Sequence, residues 1–109
     1  MVIDDKFYVG AAKDRQIIRM VRHIRRFHEI KKYVPGIYVV TLPLFHDGIL
    51  EVYEISELKQ KVYDDVRDAI HIVGAAPGKR QAIRLVRDII DDIYKKTGTV
   101  DVEAFFSPQ

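Results

Sequence analysis

The feature that most constrains the fold of this chain is a repeat within its own sequence. Val9-Gly10-Ala11-Ala12 recurs as Val73-Gly74-Ala75-Ala76, and residues 15–24 then align with residues 80–89 after a length difference of one residue. Eleven aligned residues are identical across these two short stretches. Because composition alone does not produce an ordered run of this density, we interpret the repeat as an internal duplication whose copies fold alike.

Each copy has the pattern of a strand, a small-residue turn, a helix and a second strand. Apolar runs rich in β-branched and aromatic residues predict the strands, and apolar residues at a period of 3.6 predict the helices. The predicted strands are 6–9, 37–42, 49–55, 69–73 and 100–106. The predicted helices are the segment from Arg15 to His28, a short helix over 57–66 and a long helix over 79–96.

This order of elements predicts one α+β domain over residues 1–109, with repeat 1 at about 6–42, an insert at about 46–67 and repeat 2 at about 68–106. We expect two duplicated βαβ units in a ferredoxin-like sandwich that carries one inserted strand and one short helix. The alternative is a small open, doubly wound α/β sheet. The distinction matters for function, because only the doubly wound sheet brings both Gly-Ala-Ala turns to the same end.

Composition limits the class of protein further. A chain of 109 residues with 48% hydrophobic and 31% charged residues is typical of a globular domain. It contains no cysteine, which excludes disulfides, thiolate metal sites and cysteine nucleophiles. No apolar run approaches the ~20 residues of a membrane span, and the first residues lack a signal-peptide pattern. We therefore expect a cytoplasmic protein.

The two glycine-containing turns are the strongest candidates for a ligand site. Small residues between a strand and a helix let the backbone approach a ligand, and the free N–H groups at a helix start favour an anion. The alternative is tight packing of helix on strand without a ligand. The candidate anion-binding residues are Gly10, Lys13, Arg15, Gly74, Gly78, Lys79 and Arg80.

The second turn resembles a nucleotide-binding P-loop in part. Residues 74–80 contain two glycines followed by a lysine. The spacing between these glycines is one residue too short, and Arg80 occupies the position where a P-loop needs a Ser or Thr to bind Mg²⁺. The pattern therefore argues against NTP hydrolysis.

A basic stripe on the first helix is the second candidate surface. Residues 13–32 contain eight basic and two acidic side chains, although the net charge of the whole chain is only +2. Four arginines fall within about 60° of one another, opposite the apolar face, and span about 16 Å. They are Arg15, Arg19, Arg22 and Arg26.

This spacing suits contact with a nucleic-acid backbone, so nucleic-acid binding is an alternative function. An ordinary solvated helix face is the other explanation of the stripe. On the second helix, acidic residues follow Arg84 and Arg87 at a spacing of four, which predicts that this helix is neutralised.

No residue pattern predicts catalysis, a metal or a cofactor. His23 and His28 are five residues apart, whereas ligands on one helical face are usually four apart. The remaining histidines, His46 and His71, have simpler explanations in a turn and in a strand. We therefore predict no catalytic residue, no metal and no cofactor. A third possibility is a small enzyme acting on a phosphorylated or carboxylated substrate, in which Lys13, Lys79 or Arg80 holds the anion and a histidine transfers protons.

The predicted sheet, with helices on one face only, leaves the other face uncovered. Alternating aromatic and aliphatic residues in the strands would then pack against a second copy of the chain, so we predict a homodimer or higher oligomer. The function favoured by the sequence is a non-catalytic, self-associating binding module. It would hold a small anionic ligand at the turns that contain Gly10 and Gly74.

Overall fold

Four strands form one mixed sheet in the computed structural model of this protein, which describes residues 1–10, 15–30, 36–44 and 48–106. The strands are β1 (Val2–Val9), β2 (Ile37–Thr41), β3 (Glu51–Glu54) and β4 (His71–Pro77). The helices are α1 (Arg15–Phe27), α2 (Lys79–Thr97) and the short α3 (Val102–Phe105). Three 3-10 helices connect β3 to β4, at Ile55–Lys59, Lys61–Tyr63 and Arg67–Ala69.

The order of strands in the sheet is β1-β4-β2-β3. β1 is parallel to β4, while β2 is antiparallel to both of its neighbours. The pairing of β1 with β4 is irregular between Ile3 and Tyr8, and β4 carries one extra residue, Val73, opposite β2. The register in which β4 pairs with each of its two neighbouring strands therefore changes along its length.

Both faces of the sheet are covered. Val39 and Ile72 join a core cluster that contains the apolar side of α1, whereas Val40 and Val73 join a second cluster around α2 and α3. Consecutive residues of the central strands are thus buried, because each strand sends alternate side chains to opposite faces. A strand that is apolar on both sides needs a helix on each side.

The predicted ferredoxin-like arrangement is not confirmed, because it would place both main helices on one face. The structure resembles the doubly wound alternative in having helices on both faces, but only β1 and β4 are parallel. The internal duplication is not confirmed either. Each copy does contain a strand followed by a helix, yet α1 and α2 lie on opposite sides of the sheet and the second copy lacks its final strand.

The strand predicted at 100–106 is wrong, since this segment forms α3. The Asp101 side chain accepts a hydrogen bond from the Ala104 N–H at 3.1 Å and caps the helix. Val102 and Phe106 are four residues apart and both buried in the cluster under α2. Residues four apart share a face in a helix and also in a strand. The hydrogen bond from Ala104 to the Asp101 side chain forms only in the helical turn.

The Gly-Ala-Ala turn predicted in the second copy is also wrong. Gly74, Ala75 and Ala76 are buried inside β4, which continues to Pro77. A Cβ on Gly74 would lie 3.0 Å from Leu85 Cδ2 and 3.1 Å from the carbonyl oxygen of Tyr8. Gly74 therefore serves the close packing of α2 on the sheet, which was the alternative explanation.

The remaining elements follow the sequence more closely. β2 matches the predicted strand, and β3 is a shorter version of the strand predicted at 49–55. The short helix predicted at 57–66 is replaced by the 3-10 helices, whose residues Ile55, Leu58 and Tyr63 are buried on the α1 side. Short 3-10 turns cover the sheet here without the length of a regular helix.

The uncovered sheet face that motivated the predicted homodimer is not found in the described part of the chain. Tyr38 packs against the α2 side of the core, and Phe106 is fully buried within its own chain. This chain's own helices thus cover the apolar side chains on both faces of the sheet. Self-association stays a prediction, but this physical reason for it is removed.

Candidate functional site

β1 and β4 are adjacent and parallel, so their carboxyl ends meet at one end of the sheet. α2 begins at Lys79, directly after β4, and α1 begins at Arg15, on the opposite face of the sheet. In open α/β sheets, ligands bind in the crevice between adjacent strands whose connections leave to opposite faces. We call this end of the sheet the strand-end site and define it by Gly10, Gly36 and Gly78.

Glycine backbone forms the strand-end site. The Gly10 N–H donates to the Ala75 carbonyl at 2.8 Å, and the Gly78 N–H donates to the Gly36 carbonyl at 2.7 Å. Gly36 and Gly78 have φ angles of 80° and 102°, which residues with a side chain rarely adopt. Apart from the two chain neighbours, a Cβ on either of these two glycines would have no heavy atom of the described residues within 4 Å, so the backbone is open to an approaching group.

The start of α2 lies at this site without a side-chain cap. Gly78 is the N-cap residue, and its carbonyl accepts the first helical hydrogen bond, from the Ala82 N–H at 3.0 Å. The N–H groups of Lys79, Arg80 and Gln81 thus precede the first i to i−4 hydrogen bond of the helix. The first turn contains no acidic residue and begins with Lys79 and Arg80, both exposed. Cations at this position oppose the helix dipole, and a bound anion would relieve that repulsion.

A shallow, open groove continues from the strand-end site along the exposed side of α2. Its volume is about 460 Å³, and it is lined by Lys79, Arg80, Ile83, Arg84 and Arg87. None of the four cations makes an ion pair or a hydrogen bond with any residue in the described ranges. The groove is therefore strongly positive.

In the second half of α2, the charges of the lysines are neutralised by ion pairs. Lys95 pairs with Asp91 at 2.8 Å, and Lys96 pairs with Asp92 at 3.0 Å. The sequence predicts that acidic neighbours also neutralise Arg84 and Arg87, but within the described chain these ion pairs do not form. Uncompensated positive charge is thus confined to the half of α2 that begins at the strand-end site.

The structure brings together only part of the predicted anion-binding set. Gly10, Gly78, Lys79 and Arg80 lie at or beside the strand-end site. Arg15 is exposed at the start of α1, on the other face of the sheet, and Lys13 lies outside the described residues.

Gly74 is not at the strand-end site. In the parallel pairing Tyr8 lies opposite Gly74, so Gly10 reaches the end of the sheet while Gly74 is inside it. Sequence reasoning missed Gly36, because its contact with Gly78 depends on the pairing of β2 with β4. In the sequence, the glycine at position 36 is the only sign of this contact.

The histidines that the structure describes are remote from the strand-end site. His71 Nε2 lies 2.8 Å from Asp4 Oδ1, at the amino end of β4. His23 stacks on Phe27 with ring centroids 4.7 Å apart. His46 lies outside the described residues, and within the described ranges no group of three or more acidic or histidine side chains is placed to hold a metal ion.

Three tyrosines donate hydrogen bonds to carboxylates elsewhere in the fold. Tyr8 donates to Asp92, Tyr53 donates to Glu51 at 2.8 Å, and Tyr63 donates to Glu57 at 2.9 Å. Burial, followed by the hydrogen bond to each carboxylate and the negative charge of that carboxylate, raises the pKa of all three phenols. The hydrogen bond from Tyr8, together with Lys96, lowers the pKa of Asp92.

These shifts predict how stability depends on alkaline pH. Above the ordinary tyrosine pKa of 10.0, the unfolded chain loses protons that Tyr8, Tyr53 and Tyr63 retain in the folded state. The free energy of unfolding should therefore fall as the pH rises above about 10. Denaturant titrations across this range measure the fall, and the tyrosinate absorbance of the folded protein should lag behind that of the unfolded chain.

A double substitution isolates the cause of this alkaline effect. Tyr53→Phe/Tyr63→Phe should reduce the pH-dependent loss, because two of the retained protons are removed. Full ionisation of all tyrosines in the folded protein at the ordinary pKa would contradict the expectation.

A comparison of the chain with protein-family models, curated proteins and solved structures finds no match. No helix within the described ranges is both long and apolar enough to cross a membrane; α2, with 19 residues, is rich in charge. The geometry and electrostatics of the strand-end site thus carry the functional argument.

Proposed function

We propose that this protein is a non-catalytic binding module that holds a small anionic ligand at the strand-end site. The observation that carries the proposal is the pair of adjacent parallel strands, β1 and β4, whose helices leave to opposite faces of the sheet. The backbone N–H groups at the start of α2 supply hydrogen-bond donors, and Lys79 and Arg80 supply charge. Phosphate and carboxylate groups fit this combination of donors.

One carboxylate of the described residues, Glu54, lies beside the strand-end site and disfavours an anion at Gly36 itself, so the charge of the ligand belongs at Lys79 and Arg80. One Glu54 oxygen accepts from the Gly36 N–H at 3.4 Å. Its other oxygen accepts from the Ser56 hydroxyl at 2.7 Å. Glu54 is thus engaged by its own neighbours, while Lys79 and Arg80 have no carboxylate partner within the described chain.

The groove on α2 supports a ligand larger than a free ion. It adds Arg84 and Arg87 as further cations and the half-exposed Ile83 as an apolar contact. Its volume lies within the range of small-molecule sites in proteins, about 300–1,000 Å³. A phosphorylated metabolite of about nucleotide size would place its phosphate at the start of α2 and its organic part along Ile83.

The proposal is tested by thermal unfolding with inorganic phosphate and with a nucleoside monophosphate as probes. A ligand present at about ten times its Kd stabilises the folded state by about 1.4 kcal/mol. In a domain of this size that corresponds to a rise in Tm of roughly 5–10 °C. Lys79→Glu/Arg80→Glu should abolish this rise, because both cations at the start of α2 are reversed.

Lys95→Glu/Lys96→Glu is the matched control. It makes the same change in net charge at the other end of α2, and it should preserve the ligand-induced rise in Tm. The proposal fails if Lys79→Glu/Arg80→Glu retains the full rise, or if both variants lose it equally.

Self-association belongs to a separate prediction. The mass in solution at micromolar concentration, measured by light scattering, distinguishes a monomer from the predicted homodimer. The strand-end site is assembled within one chain, so the ligand proposal does not depend on the result.

A further inference from the structure

α1 presents a continuous arginine surface to solvent. The helix contains five arginines and no acidic residue among its 13 positions, and all five arginines are exposed. Arg25 donates to the Asp4 carbonyl at 3.4 Å, and the Arg26 guanidinium lies 5.3 Å from the Phe27 ring centroid. Within the described ranges, Arg15, Arg19 and Arg22 have no hydrogen bond or ion pair. These side chains carry charge that the fold itself does not use.

We propose that Arg15, Arg19, Arg22 and Arg26, which we call the arginine face, bind the phosphate backbone of nucleic acid. Successive members are three or four residues apart, so their guanidinium groups follow one another at about 4.5–6 Å along the helix. The face spans about 16 Å, the length of four to five phosphates on one strand of a duplex, which are spaced about 3.4 Å apart along the axis.

The chemistry of the side chains favours phosphate over other anions. All five cations of α1 are arginine, whose planar guanidinium donates two parallel hydrogen bonds to one phosphate group. A surface that served only solubility would gain as much from lysine or from mixed charge. Four guanidinium groups in a row match a ligand that repeats its charge at short, regular intervals.

The packing of α1 argues against a membrane surface as the partner. A helix that lies in a membrane interface inserts its apolar side into the lipid. On α1 that side is centred on Ile17, Met20 and Ile24, and all three are buried against the sheet. Ile18 and Phe27 are the exposed large apolar side chains of the helix, at 40% and 52%, and they are nine residues apart. The helix can therefore offer a membrane its charge but only two separate apolar contacts.

The arginine face is distinct from the strand-end site. Arg19, Arg22 and Arg26 lie on α1, whereas the groove lies on α2 at the opposite face of the sheet. Of the four arginines of the arginine face, only Arg15, at the start of α1, lies near the carboxyl ends of the strands. A failure of the ligand proposal therefore leaves this one standing, and the reverse is also true.

Binding through phosphates alone has a defined signature. It does not distinguish sequences, because phosphate contacts carry no direct sequence information. About four phosphate contacts predict that log K falls with log salt concentration at a slope of roughly −3 to −4 for duplex DNA. The predicted interaction is thus strong at low salt and weak at physiological salt.

Fluorescence anisotropy with a labelled, mixed-sequence DNA duplex of about 20 base pairs tests the proposal across a salt series. Arg19→Glu/Arg22→Glu should weaken binding at least about tenfold at low salt and reduce the salt slope by about 2. Arg19→Gln/Arg22→Gln should give a smaller loss in the same direction. Both substitutions are at exposed positions, so circular dichroism should show an unchanged fold.

Lys95→Glu/Lys96→Glu is the matched control. The change in net charge is identical, but these lysines lie at the end of α2, on the other face of the sheet and outside the groove. We expect the affinity of this variant for the duplex to stay within about threefold of that of the unaltered protein, which allows for the change in overall charge.

Three results would overturn the proposal. The first is an absence of binding to duplex DNA and to single-stranded RNA at the lowest salt concentration. The second is an equal loss in the α1 and α2 variants, which would assign the effect to net charge. The third is equally strong binding to vesicles that contain phosphatidylserine, lost in Arg19→Glu/Arg22→Glu, which would identify a membrane surface as the partner.

Discussion

Replacing Phe106 by alanine is expected to destabilise the protein by about 3–5 kcal/mol. The Phe106 side chain is fully buried and meets the Tyr8 and Phe105 rings edge to face, with centroids 6.1 and 5.0 Å away. Truncation would leave a cavity between α2, α3 and β1. Domains of this size are stable by about 5–15 kcal/mol, so the loss is a large fraction of the total. Equilibrium unfolding in denaturant measures it.

Phe105→Ala is the control for this prediction. Phe105 is only partly buried and lies under the ammonium groups of Lys6 and Lys96, 4.8 and 5.9 Å from its ring centroid. Its truncation should cost less than about 1.5 kcal/mol, since less apolar surface returns to water. Equal losses at the two positions would contradict the helical docking of α3, because that docking buries Phe106 in preference to Phe105.

Gly10→Ala is expected to destabilise the protein by about 1–3 kcal/mol. A Cβ at Gly10 would lie only 2.5 Å from the Cβ of Ala76. Both atoms are attached directly to paired backbone, so neither can rotate away. β1 would have to move from β4 at the strand-end site, and the hydrogen bond from the Gly10 N–H to Ala75 would weaken.

Ala76→Gly should rescue this defect. Alone, it removes one buried methyl group and adds backbone freedom, at a cost of about 1–2 kcal/mol. Combined with Gly10→Ala, it simply moves the methyl group from one strand to the other. The double variant should therefore be more stable than the sum of the two single effects by at least about 1 kcal/mol. Strict additivity of the two changes would show that the strands do not meet at this contact.

Local sequence pattern predicts most of the elements. The 3.6-residue spacing of Ile17, Met20 and Ile24 identifies the buried side of α1 and the exposed position of its arginines. The same spacing also predicts that Phe27 and His28 pack on the sheet, and this part is wrong, since both are exposed where the helix ends. The final strand fails because apolar residues at 102, 105 and 106 fit a helical turn as well as a strand. Over so few residues periodicity does not decide between them, and the capping of the turn by Asp101 does.

Only some residues of the candidate site are close to one another in the sequence. Gly78, Lys79 and Arg80 follow one another in the chain, so sequence inspection finds them together. The neighbourhood of Gly10 and Gly36 depends on strand order, which no short motif encodes. The repeat also gives Gly10 and Gly74 equal roles, but β4 extends past its aligned partner and Gly74 becomes a packing residue under α2.

The irregular pairing of β1 with β4 has a consequence for the outer edges of the sheet. Between Ile3 and Tyr8 the ladder is interrupted, and this stretch holds the inward-facing carboxylate of Asp4, which His71 partners. The other edge strand, β3, has four residues and begins and ends with glutamate. Neither border offers a long, uncharged row of backbone groups on which a further strand would grow. We therefore expect both edges to disfavour edge-to-edge pairing with the sheet of another folded copy.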